Sequence, residues 1–107
     1  MNALEKMKKN GIHIDDAMIQ DIAHRFNIKE LSVFGSCIRS DFNETSDIDL
    51  LIIFTKSSEI SLFDLMDIQD YFQEKLARKV ELVEPDGLKN PIRRKEILGS
   101  KEILYVA

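Results

Sequence analysis

Two carboxylates, Asp47 and Asp49, open a run that is otherwise apolar through Phe54. Side chains alternate along a strand, so the pair shares one face with Leu51 and Ile53, about 7 Å apart along the backbone. Asp is a poor strand former, and an ionised carboxylate beside an apolar core is costly without a counter-charge. Two on one face also repel each other. A hard divalent cation such as Mg2+ relieves both costs, because it prefers carboxylate oxygen. Asp47, directly after Ser46, reads equally well as a cap of the preceding loop. Asp49 has apolar neighbours on both sides and does not.

A second element lies about a dozen residues earlier, where Gly35-Ser36 ends an apolar run. Glycine permits unusual dihedrals and close backbone approach. A short helix starting there points free N–H groups outward, and these bind anions such as phosphate; the Ser36 hydroxyl can add a donor. No Walker loop is present. A plain turn is the alternative. Glu81 interrupts a third apolar run, "KVELVEP". It is either an edge-strand residue facing water or a third carboxylate on the face of Asp47 and Asp49. In the latter case the three could hold two metal ions, as phosphoryl-transfer sites do.

These pieces meet only if the surrounding elements bring them together. Ile14 to Asn27 reads as a helix capped by Asp15 or Asp16, with Met18, Ile22 and Phe26 on one face. Leu31 to Phe34 reads as a strand ending at Gly35, Cys37 to Asp41 as a helical turn, and Asp47 to Phe54 as a strand. Ser61 to Arg78 reads as a helix with Ser61 and Asp64 as a capping box and Leu62, Leu65, Met66, Phe72 and Leu76 as its buried stripe. Lys79 to Val83 reads as a strand and Pro85 to Gly87 as a turn. Asn90 caps a brief helix with Pro91 in its first turn and Gly99 at its end, and Glu102 to Val106 forms an edge strand. The connection between the first two strands is too short for a parallel crossover, so they pair antiparallel. The next two are joined through the long helix and run parallel. The expected sheet is mixed.

Composition narrows the function. The chain has 107 residues, the size of one domain, and a net charge of −4. That balance argues against direct nucleic-acid binding. The longest apolar run is too short to span a membrane, the N-terminus has no signal-peptide core, and the lone Cys37 forms no internal disulfide. A cytoplasmic location is expected. Cys37 reads as a small core residue, and His13 and His24 lack partners at metal-ligand spacing. Arg39 either pairs with a phosphate oxygen or anchors the turn through Asp41 or a backbone carbonyl. Arg93, Arg94 and Lys95 read as a solvated basic surface.

Taken together, "GSCIRSD" followed by "SDIDLLI" resembles the minimal nucleotidyltransferases (the MNT group) of the DNA polymerase β-like superfamily. "RKVELVEPDGLKNPIRRKEIL" resembles that family's later segment, where a third acidic residue precedes a Pro turn. The likeness runs from about residue 14 to 107. It implies an α/β (α+β) domain with a small mixed β-sheet flanked by helices, spanning residues 1–107. It also implies that Asp47, Asp49 and Glu81 are catalytic and hold two Mg2+ ions, and that Gly35, Ser36, Arg39 and Ser46 bind the nucleotide. The substrate it implies is ATP. The acceptor it implies is a hydroxyl, a tyrosine, on a helical HEPN toxin with which the chain assembles as an antitoxin. The family commonly has Asp where this chain has Glu81, and Gly where it has Ser40. Two other readings remain. The chain could neutralise its partner by binding alone, or modify a small molecule, for which an extra substrate domain is usual.

Overall fold

The structure is a computed structural model that describes the backbone of residues 1–107 and every side chain except that of Ser57. In chain order it forms α1 (Ala3–Lys9), α2 (Asp16–Phe26), β1 (Ile28–Phe34), β2 (Ile48–Phe54), α3 (Leu62–Leu76), β3 (Val80–Val83), α4 (Pro91–Ser100) and β4 (Glu102–Val106). Short 3-10 turns at Gly35–Ile38, Ser57–Glu59 and Pro85–Gly87 join some of them. The strands make one sheet in the order β3-β2-β1-β4. β1 is antiparallel to β2 and β4, whereas β2 and β3 are parallel. The mixed sheet expected from connection lengths is therefore the one observed.

The sheet is packed on both faces. Leu31, Val33, Leu50, Ile52 and Val80 face the larger core with Met7 of α1, Ile19 and Ile22 of α2, and Ile68 and Phe72 of α3. Each such fully buried side chain contributes about 1.5–3 kcal/mol. Phe34 and Leu51 point the other way, onto Leu88 and Ile97 of the α4 side. Strand alternation explains the division: neighbours in sequence serve opposite layers.

The helix ends follow their local chemistry. Asp15 caps α2 by accepting from Met18 N at 2.7 Å. Ser61 and Asp64 form the complete capping box of α3, with bonds of 3.1 and 3.0 Å. α3 stops at Ala77, which adopts a left-handed conformation. Asn90 caps α4 by accepting from Ile92 N and Arg93 N.

Three expectations are corrected. α3 buries Ile68 and Phe72, while Leu62 and Met66 of the expected stripe stand 70% and 49% exposed. The two apolar sets are rotated around the helix, and the one meeting β2 and β3 fills the core. Gly99 lies inside α4, which runs on to Ser100. α1 was not expected at all, yet its Ala3 and Met7 are buried.

Candidate active site

β1 delivers the chain to the site. Phe34 is the register partner of Asp49, so Gly35, the next residue, turns directly over that aspartate. Gly35 has φ +78°, and a Cβ there would lie 2.4 Å from Asp49 Oδ2. Both the conformation and the contact therefore demand glycine. The turn Gly35–Ile38 follows at once, placing partly exposed Ser36 beside the carboxylate.

The parallel pairing of β2 with β3 puts Glu81 opposite Asp49. Their Cα atoms are thus neighbours across about 4.8 Å of sheet, with both side chains on the α4 face. Asp49 is half-buried, and its pKa is pushed up to about 6, by burial first and then by the charges of Glu81 and Asp47. Asp47 precedes β2 and lies nearer to water, with its side chain 40% exposed and Lys79 Nζ 4.0 Å from Oδ2. Glu81 is 48% exposed, with Arg93 Nη2 3.5 Å from Oε1. The site is an open, acidic strip along the C-terminal end of β1 and the starts of β2 and β3.

Several polar residues hold this strip in place. Arg78 Nη1 donates to Ser46 O at 2.6 Å and to Asn43 O at 2.9 Å, and its guanidinium stacks on Phe42 at 4.3 Å. It thereby fixes the loop entering Asp47. Val80 sits on the outer edge of β3, where Gln73 Oε1 accepts from its N–H and Gln69 Nε2 donates to its C=O. α3 thus completes the edge that carries Glu81. Asn10, just after α1, donates to Cys37 O at 2.9 Å and Arg39 O at 3.0 Å, pinning the glycine turn from beneath. None of these four was singled out from sequence. Arg78 and Asn10 reach partners 27 to 35 residues away, and the two glutamines bond backbone across the end of α3, so no motif announces them.

The expected site residues divide into two groups. Gly35, Ser36, Asp47, Asp49 and Glu81 converge on the strip. Arg39 and Ser46 make bonds within their own loops: Arg39 Nε lies 3.0 Å from Asp41 Oδ1, and Ser46 Oγ accepts from Asn43 N at 3.1 Å. Arg93, read from sequence as a solvated surface residue, joins the strip beside Glu81. Cys37 is buried and donates to Phe34 O, and burial pushes its thiol up to about 11. It packs as a core residue.

Among the described residues no three His, Cys, Asp or Glu side chains are drawn into a ligand cluster. The donor set nevertheless fits a hard divalent cation. It consists of carboxylate oxygens, with Glu81 the register partner of Asp49 and Asp47 two residues before it.

The pattern of the family described as "Nucleotidyltransferase domain" matches residues 16–104. The chain is 31% identical over 87 residues to the protein adenylyltransferase MntA of Thermococcus cleftensis, covering 81% of this chain and 83% of the relative. It is likewise 31% identical over 87 residues to a Methanocaldococcus jannaschii protein provisionally named a protein adenylyltransferase, covering 81% of this chain and 85% of that one. Among solved structures, a toxin–antitoxin crystallised with AMP-PNP superposes with a TM-score of 0.68 at 14% identity, over 88% of this chain and 75% of that one. At that identity the likeness speaks for the fold.

Proposed function

The chain belongs to the nucleotidyltransferase domain family, as a minimal nucleotidyltransferase, and on that premise we propose that it transfers AMP from ATP to a hydroxyl of a partner protein. A tyrosine of a HEPN toxin is the acceptor this reading favours. The observation that carries the proposal is the register of Asp49 with Glu81 directly beneath the Gly35 turn. Named relatives at 31% identity are protein adenylyltransferases, which supports AMP and a protein acceptor. The openness of the strip supports a large acceptor as well, since Asp47 and Glu81 are both accessible from one side.

Asp47, Asp49 and Glu81 would hold Mg2+, which supplies positive charge to the triphosphate and acidifies the attacking hydroxyl. Gly35 lets the turn close directly onto Asp49, and the turn's N–H groups with Ser36 Oγ hold the β- and γ-phosphates. Arg78 and Gln73 keep Asp47 and Glu81 in position. The acceptor oxygen attacks the α-phosphorus, the bond from that phosphorus to the β-bridging oxygen breaks, and pyrophosphate leaves. Glu81 takes the hydroxyl proton. Positioning and preorganised charge supply most of the acceleration.

The test is intact-mass measurement of the partner after incubation with the chain, Mg2+ and ATP. One adenylate should be added by the wild-type chain and none by Asp47→Asn/Asp49→Asn. A second reading, neutralisation by binding alone, draws on Leu62, Phe63 and Met66, which stand exposed together at the start of α3. It prevails if the double variant neutralises the partner as well as the wild-type chain does.

A further inference from the structure

The three carboxylates of the strip are only partly balanced by the chain itself. Lys79 approaches Asp47 at 4.0 Å on a side chain 75% exposed. Arg93 approaches Glu81 at 3.5 Å and is 54% exposed. Glu81 is the register partner of Asp49, so the guanidinium stands next to the centre of the strip.

That placement is built by the fold. Asn90 and Pro91 start α4, and Arg94 donates to Pro85 O, tying the helix start to the turn after β3. Lys101, just past the helix end, donates to Glu30 of β1. Ile97 is buried against Phe34, Leu51 and Leu88. Residues four apart on a helix lie on one face, so Arg93 falls on the sheet side one turn before Ile97. The helix is fixed at both ends, while the long Arg93 side chain is half exposed.

A divalent cation held by the Glu81 carboxylate repels the guanidinium 3.5 Å from Oε1 and competes with it for that charge. A half-exposed ion pair is weak, so the guanidinium yields readily. Once displaced from Glu81 it is still anchored by α4 beside the strand pair that carries Asp49, where a triphosphate would lie, and a guanidinium pairs with phosphate in a two-point fork. Resting on the transfer reading above, we propose that Arg93 is the resident counter-cation of Glu81 whenever no divalent ion is bound, and that it passes to the nucleotide's phosphates when one enters. Arg93 is a positioning residue for Glu81 in the first state and a substrate contact in the second.

The two halves predict effects of opposite sign, which a purely structural ion pair does not. Mn2+ affinity is read by electron paramagnetic resonance without nucleotide. Affinity for a non-hydrolysable ATP analogue is read by calorimetry at saturating Mg2+. Arg93→Gln binds Mn2+ about two- to five-fold more tightly, by loss of a competing ion pair. It binds the analogue about ten-fold more weakly, by loss of a charged phosphate contact. Arg93→Lys falls between wild type and Arg93→Gln in both. Lys95→Gln, the same charge change on an exposed neighbour, leaves both unaltered. Unchanged or weaker Mn2+ binding in Arg93→Gln overturns the competition, and so does equal tightening in Lys95→Gln. Unchanged analogue binding overturns the hand-over. A wild-type chain that binds both ligands, with Arg93→Gln equal to it, refutes only this proposal. A wild-type chain that binds neither refutes the transfer reading as well.

Discussion

Asp49→Asn should make the protein more stable at neutral pH while abolishing its chemistry. Asp49 titrates at about 6 in the folded chain against an ordinary value of 3.8. The folded state therefore holds this proton more tightly than the unfolded state does. Stability is highest, as far as this group is concerned, below pH 3.8, falls as pH rises towards about 6, and stays reduced above it. The full shift corresponds to about 3 kcal/mol. Asp49 is only half-buried and its charged neighbours face water, so screening reduces the expected deficit to about 1–1.5 kcal/mol. Asparagine has the same shape without the charge and removes that deficit. For a domain of this size the gain is about 5 °C in Tm at pH 7.5. Thermal unfolding of wild type and variant at pH 7.5 and pH 4 reads it directly. The advantage should shrink to near zero at pH 4, where Asp49 is protonated in the folded wild type. Added Mg2+ should raise the Tm of the wild-type chain and leave the variant unmoved. A variant no more stable than wild type at pH 7.5, or equally advantaged at pH 4, refutes the account of Asp49 as a charge stored at the expense of stability.

Gly35→Ala should lose about 2–4 kcal/mol in urea unfolding, since left-handed backbone is unfavourable for alanine and the new Cβ meets Asp49. Nucleotide uptake should vanish with it, and a variant of wild-type stability would show that the turn relaxes freely. Arg78→Ala should cost about 1–2 kcal/mol through two lost bonds to carbonyls. It should also admit proteolysis between Phe42 and Ser46, and an unchanged digestion pattern would remove Arg78 from its role. Cys37 should react with a disulfide reagent at pH 8 about a hundredfold more slowly than a free thiol, because its thiolate is scarce and buried. Rapid modification of the folded chain would contradict its packing.

Much of the site could be read from the residues in order. Asp47 and Asp49 alternate with Ile48 and Leu50, so a strand must set them on one face. The short link from Gly35 to Asp47 required antiparallel strands, and the helix from Leu62 to Leu76 required a parallel return to β3. Together these facts bring Glu81 towards Asp49. The capping box of Ser61 and Asp64 was equally visible, because both partners lie within one helical turn. These are local rules of period, chain length and capping.

The remainder depended on which distant surfaces meet. α3 carries two apolar faces, and only the docking of Ile68 and Phe72 on the sheet decided that Leu62 and Met66 stay outside. α1 is rich in lysine and offers little stripe, yet the space beside the Gly35–Ile38 turn accepts Met7. Arg78 reaches Asn43 across 35 residues, and Asn10 reaches Arg39 across 29. Arg93 looked like one cation in a solvated patch until the anchoring of α4 turned it to Glu81. Even the raised pKa of Asp49 comes from burial and from a carboxylate on another strand. Apolar residues announce their place through periodicity, because the same face is buried turn after turn or at every second residue. A single polar residue has no such repeat, so its partner is fixed only when the packed elements close around it.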